Sequence, residues 1–320
     1  ASYPSAKVDT INAISAKGNA VTAAAEQGFL ADFLTTGFPA YVAESAANGL
    51  AELGEFMAAP GLNFAGDLQA ASDFYLQAKG LAADAFSLVQ KPFQMVSRIT
   101  GLFGSIRTAF GSNALSMLTS LFDRSPGNYS GSTATPSRRQ QATNHLALNA
   151  LVRQVAVAEA AKAAVVTQKP LTTAGGVALA QRPSTQSASN PSSSTPSAST
   201  SMVSTPTVST PVVYDSYQEA VKVREELVSR IDAESEATPV DEVYVALSDL
   251  RTSVVQAVPN KEQDLPRIVP YVPKETLPSL LVAYQIYGDA GRADEITARN
   301  GPRHPGFLTG GTALEVLADG

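Results

Sequence analysis

Across residues 183–214 the chain carries no charged side chain, and Ser, Thr and Pro dominate. Such a run has too little apolar surface to offset the entropy of ordering it. It reads as a flexible linker, extended where proline is dense, with an exposed recognition segment as the alternative. That stretch sets the partition of the rest, because whatever packs must come from the residues before it or after it. The expected division is an Ala-rich helical region at 1–170, a Ser/Thr/Pro-rich linker at 171–215, a helical hairpin at 216–260 and a compact module at 261–320.

The fold class expected is mainly α, with long Ala-rich helices. Over residues 7–34, Val8, Ile11, Ile14, Val21, Ala25, Phe29 and Phe33 recur at helical spacing, ending at Gly37 and Pro39. A second helix is predicted over 40–58 with Leu50, Leu53, Phe56 and Met57 on one side and Pro60-Gly61 as its stop. A third spans 67–90. Pro92 opens a fourth, striped by Met95, Ile99, Leu102, Phe103, Ile106 and Phe110. Thr135-Pro136 supplies a cap and a first-turn proline for the next, whose stripe is Leu148, Leu151, Val152 and Val155. These narrow stripes suggest a region that orders fully only against other subunits.

After the linker, Ser216 and Glu219 have capping-box spacing ahead of Tyr217, Val221, Leu227, Val228 and Ile231. Thr238-Pro239 is expected to cap a second helix carrying Tyr244, Leu247, Leu250, Val254 and Val258, closed by Pro259, so the pair forms an antiparallel hairpin. The last block reads as strand (267–273), helix (277–287), helix (291–299) and returning strand (312–318).

Function classes are narrowed mainly by exclusion. No cysteine is present, so disulfides, thiolate nucleophiles and Cys-ligated metals are ruled out. Charged residues make up 16% of the chain, against about 25% in ordinary globular domains, as expected of helices that hide against partners. A net charge of -6 and few basic clusters weigh against nucleic acid contact; Arg138-Arg139 reads as a solvated helix start. The apolar stretch 108–122 is shorter than the roughly 20 residues a membrane span needs and is broken by Gly111, Ser112 and Asn113. No basic and apolar leader opens the chain, and its start at Ala1-Ser2-Tyr3-Pro4 without Met reads as a processed or partial product.

Of the two histidines, His145 falls on a predicted helix and His304 in a loop, and neither has a partner at metal-ligand spacing. No phosphate loop or dinucleotide fingerprint appears. Asp232, Glu234 and Glu236 read as a solvated helix terminus, and Asn128-Tyr129-Ser130 as a chance glycosylation match. No catalytic residue, metal ligand or cofactor is expected, and the chain is read as a non-enzyme.

The C-terminal block holds the densest motif: Leu277-Pro278-Ser279-Leu280-Leu281-Val282-Ala283-Tyr284, then Tyr287-Gly288-Asp289, Glu295-Ile296 and Ala298-Arg299-Asn300-Gly301, ending in Gly310-Gly311 and Leu314-Glu315-Val316-Leu317. This resembles a LysM module, which implies either binding of peptidoglycan or a structural clamp of the kind found in phage baseplates; no hydrolase signature accompanies it. The run Arg299-Asn300-Gly301-Pro302-Arg303-His304-Pro305-Gly306-Phe307, with Ala313 to Leu317, also resembles the C-terminal signature of the DNA circularisation proteins of Mu-like phages. That resemblance extends upstream through Leu250-Arg251, Leu265-Pro266-Arg267 and Leu277-Pro278. Members of that family begin with a separate N-terminal domain, so this chain is expected to start near where such a domain ends.

The resemblance implies a virion tail protein assembled in the bacterial cytoplasm, partnered by hub, tail tube and tape-measure proteins and by copies of itself around the tail axis. Its implied docking residues are Tyr284, Tyr287, Gly288, Arg299, Asn300, His304, Pro305, Gly306 and Phe307. His304 and Pro305 would fix the loop that docks the last strand, a plain turn being the alternative. The competing functions are a peptidoglycan-binding module, with a groove lined by Tyr284 or Tyr287, and a DNA-end-binding protein.

Overall fold

The computed structural model describes residues 6–35, 40–58, 68–109, 114–124, 131–165, 214–259 and 265–318. It is mainly helical. Alanine costs least to place in a helix, and α1 (Ala6–Asp32), rich in it, buries Ile14, Gly18, Val21, Ala25 and Phe29 at three- to four-residue steps. Phe33 continues the stripe just beyond it, stacked on Phe29 at 4.8 Å. Next come α2 (Ala40–Met57), α3 (Leu68–Ala83), α4 (Ala85–Val89), α5 (Pro92–Ala109) and α6 (Ala114–Arg124).

The single helix expected over 67–90 is thus two. Asp84 leaves helical geometry between them, and its carboxylate accepts from Arg98 Nη1 at 2.7 Å, tying the break to α5 as that helix folds back on α3. At Gly54 a Cβ would lie 2.8 Å from both the Ala78 carbonyl oxygen and the Ala82 nitrogen, so α2 and α3 cross in near backbone contact.

The centre of the body is α7 (Pro136–Ala163). Thr135 caps it as the sequence predicts, its hydroxyl accepting from Arg138 N–H at 3.3 Å. The expected stripe of Leu148, Leu151, Val152 and Val155 is buried, but from Gln154 to Ala161 every residue is buried, on all sides of the helix. A helix covered all round lies inside a bundle, and here α1, α2, α5, α6, α8 (Tyr217–Ala237) and α9 (Asp241–Ala257) all pack against it. Alanine has no periodic signature, so a stripe alone understates the packing of Ala156, Ala158, Ala160 and Ala161.

The α8–α9 hairpin shares this core. Leu227, Ile231, Leu247, Leu250 and Val254 belong to one cluster with Ile14, Val21 and Val155. Ser216 caps α8 through Glu219 N–H (3.2 Å), while the Glu219 carboxylate reaches back to Asp215 N–H at 2.7 Å. Tyr214 is buried, and its hydroxyl donates to the Ala164 carbonyl at 2.8 Å. The chain therefore returns after residue 213 to the point it left after Val165, and Tyr214 belongs to the folded body, not to the linker assigned to 171–215. The rest of that segment up to 213 and the residues Asn128 to Ser130 lie outside the described residues.

Two other expectations are corrected. Thr238 ends α8, because Pro239 disfavours helical geometry in the residue before it, and its hydroxyl accepts from Val240 N–H at 3.4 Å; α9 starts only at Asp241, with no side-chain cap. Tyr244 is exposed, and Val243 takes its place in the buried stripe of α9.

Beyond the bundle, β1 (Arg267–Tyr271), α10 (Ser279–Tyr287), a 3-10 turn (Ala290–Arg292), α11 (Ala293–Asn300) and β2 (Leu314–Ala318) give the predicted strand-helix-helix-strand order. The strands pair antiparallel, from Arg267 opposite Ala318 to Tyr271 opposite Leu314. Val282, Ala283, Ala293, Ile296, Leu308, Leu314 and Val316 form a second, smaller core. Among the described residues no helix is long and apolar enough to cross a membrane.

Candidate docking surface

A two-stranded sheet has two free edges, each a row of unpaired amides and carbonyls open to another strand. Here side chains close both. On the β1 edge, the Gln218 amide accepts from Ile268 N–H at 2.9 Å and donates to Ile268 C=O at 3.2 Å. Pro270, the next outward residue, has no N–H to offer. On the β2 edge, the Asn300 amide does the same to Glu315, accepting from its N–H and donating to its C=O, both at 2.8 Å. The Tyr287 hydroxyl then takes Leu317 N–H at 2.9 Å.

Several of the predicted docking residues therefore build the module. Tyr287 is covered by the Arg292 guanidinium, 3.6 Å from its ring, and burial pushes its hydroxyl above the ordinary tyrosine value, the Leu317 bond opposing. Arg292 pairs with Glu295 at 3.1 Å, and Arg299 lies 3.8 Å from the same carboxylate. Gly288 adopts the left-handed conformation (φ 69°) that ends α10, where a Cβ would be strained. Asn300, at the end of α11, locks that helix to β2.

The turn 304–307 is held from both sides. His304 Nδ1 accepts from Gly306 N–H at 3.0 Å, Phe307 N–H donates to the His304 carbonyl at 3.0 Å, and the two rings lie 5.2 Å apart. The Pro305 carbonyl accepts from Ser279 N–H at 2.9 Å, which seats the turn on the first turn of α10. Leu277 and Leu308 exchange backbone bonds at 3.0 and 2.9 Å, so the two loops beside the sheet are zipped together.

Four large apolar side chains of the module remain outward. Leu280 (59% exposed), Leu281 (42%) and Tyr284 (61%) occupy one face of α10, and Phe307 (67%) stands beside its N-terminus. Of the predicted docking residues Tyr284 and Phe307 present large apolar side chains in this way, while His304 and Pro305 are exposed in the turn; Leu280 and Leu281 belong to the quoted motif but were not named as docking residues. The signal was present, since Ser279 to Tyr287 is apolar on more faces than a nine-residue helix can bury.

No family model and no curated protein matches the chain.

Elsewhere the candidate residues enter structural pairs. Glu234, expected to be solvated, is buried: its carboxylate meets Arg153 Nε at 2.8 Å and accepts from Gln154 Nε2 at 3.1 Å. Asp232 pairs with Arg251 at 2.6 Å near the surface, and Glu236 is exposed. Glu159, near the C-terminal end of α7, is bonded by Lys162 at 2.6 Å and Arg107 at 2.7 Å. Arg138 and Arg139 are exposed at the start of α7, and His145 is half-buried farther along it. Among the described residues no group of three or more His, Asp or Glu is placed to hold a metal ion.

Proposed function

We propose that the chain is a structural component of a contractile phage tail, seated near the junction of hub, tail tube and tape-measure protein, where it serves tail assembly and DNA delivery by docking. The observation that carries this reading is the outward face of Leu280, Leu281, Tyr284 and Phe307 on a module whose sheet edges are closed. Large apolar side chains held out on a rigid frame are what a protein interface uses as anchors. The resemblance of the C-terminal motif to tail proteins of Mu-like phages suggests the assembly in which such a face would be used. A sugar groove lined by Tyr284 or Tyr287 finds less support on the Tyr287 side, because that ring is already covered by Arg292 and its hydroxyl is engaged.

The test is to purify tail particles, identify the chain by mass spectrometry and locate residues 299–307 by cryo-electron microscopy. Density for this turn packed against hub or tube subunits is the expected result. A chain found only in particle-free fractions would sink the reading, and retention on purified peptidoglycan would favour the glycan-binding alternative.

A further inference from the structure

The outward face of α10 has properties that point to one occupant. The helix carries no charged residue from Ser279 to Tyr287, and its buried side is Ser279, Val282 and Ala283. Leu280, Leu281 and Tyr284 lie on the opposite side at helical spacing, with the uncharged Gln285 exposed at its edge, and the Ser279–Pro305 hydrogen bond seats the turn that carries Phe307 at the start of the helix. The charges that flank this surface in sequence have both signs: Lys274 and Glu275 before the helix, Asp289 and Arg303 after it, all exposed. A partner of strong single charge would find nothing complementary here. In a two-fold contact the patch meets its own copy, so a central charge would face a like charge; an uncharged centre with a mixed rim satisfies that condition.

The area is also sufficient. At their observed exposure the four side chains present roughly 500 Å², so two copies together would bury about 1,000 Å², the lower bound for a specific interface. Strand addition is closed off as a mode, since Gln218 occupies the β1 edge and Asn300 and Tyr287 the β2 edge. Helix against helix remains.

We propose that this face is a self-association surface, in which α10 and the 304–307 turn of one copy pack on the same elements of a second copy about a two-fold axis. In this arrangement Leu281, one turn before Tyr284 on α10, is set nearest that axis. The inference rests on the assembly reading above and names its first partner as the chain itself.

Sedimentation velocity of the full chain over a concentration series tests it. The wild-type chain forms a dimer; Leu281→Lys and Leu281→Glu each raise the dissociation constant at least about tenfold; and an equal mixture of the two variants restores the dimer, because opposite charges then meet at the axis. Thermal unfolding followed by circular dichroism checks that both variants fold like the wild type, and Tyr284→Ala, at a more exposed site, gives a charge-free version of the same weakening. A wild-type chain that stays monomeric, charged variants that dimerise unchanged, or a mixture that fails to pair overturns the inference. A monomer that still enters tail particles overturns this contact alone, whereas a dimer absent from particles overturns the tail reading and leaves the contact standing.

Discussion

Glu234 and Arg153 join three helices, and removing one partner should cost far more than removing the other. Glu234 projects from α8 with 3% of its side chain exposed, while Arg153 on α7 keeps 33% and lays its guanidinium over the Phe122 ring of α6 at 4.8 Å. The Nε and Oε2 atoms are 2.8 Å apart, in a geometry that makes the contact an ion pair more than a directed hydrogen bond. Burial raises the Glu234 carboxyl above the ordinary carboxylate value even though Arg153 and Gln154 pull it down.

Arg153→Met keeps the apolar stem on Phe122 but leaves a buried carboxylate without its counter-charge, at a cost of about 3–5 kcal/mol. Glu234→Gln keeps a hydrogen bond to Gln154 and removes the desolvated charge, and Arg153 is exposed enough to turn its head to water. That change should cost about 1 kcal/mol or less. Denaturant unfolding followed by circular dichroism measures both.

The pH dependence carries a second check. A carboxyl whose folded pKa is raised binds its proton more tightly folded than unfolded, so its contribution is fully present below about pH 4.3 and is lost as pH rises through the folded value. Arg153→Met raises that value further, so its cost should shrink as pH falls toward the ordinary carboxylate range, and Glu234→Gln should abolish that part of the slope. Equal losses in the two variants, or a cost of Arg153→Met that does not change with pH, would refute the reasoning.

Other expectations follow from the packing. Gly54→Ala forces a methyl against the backbone of α3 and should lower stability by about 1–3 kcal/mol despite the gain in helix propensity; a thermal midpoint within a degree or so of wild type contradicts the close crossing. Asn300→Ala removes both amide bonds to Glu315, so hydrogen exchange at Glu315 should accelerate at least about tenfold while Leu317, held by Tyr287, changes less. Residues 1–182 and 183–320 co-expressed as separate chains should purify as one complex, because α8 and α9 share a core with α1 and α7; separate elution would show that the hairpin does not belong to the bundle.

Legibility in the sequence tracked side-chain size and periodicity. The stripes of α1 and α5 and the caps at Thr135 and Ser216 were readable, because large apolar residues and capping hydroxyls act locally. The central place of α7 was not, since alanine marks no face. Nor was the union of hairpin and bundle: a long uncharged segment looks the same whether it spaces two domains or leaves one body and returns, and the core that α8 and α9 share with α1 and α7, with the Tyr214 hydroxyl on Ala164, decides. Glu234 looked solvated because its neighbours Asp232 and Glu236 are; its burial depends on Arg153, far away in sequence.

The C-terminal motif carries the same lesson in sharper form. Its residues look alike as a signature, yet they do two different things. Asn300, Tyr287 and Gly288 spend their polar atoms or backbone freedom inside the module, closing a sheet edge and ending a helix, whereas Tyr284 and Phe307 spend their apolar area outside it. The two uses depend on each other. A two-stranded sheet with open edges would invite strand pairing in competition with any docking through α10, and the side-chain amides remove that competition at the positions where Ile268 and Glu315 would otherwise offer it. Opening the β2 edge by Asn300→Ala should therefore do more than loosen the module: it should add a second, strand-mediated mode of association that Leu281→Glu does not suppress. Self-association of the double variant no stronger than that of Leu281→Glu alone would show that the amide clamp serves stability only.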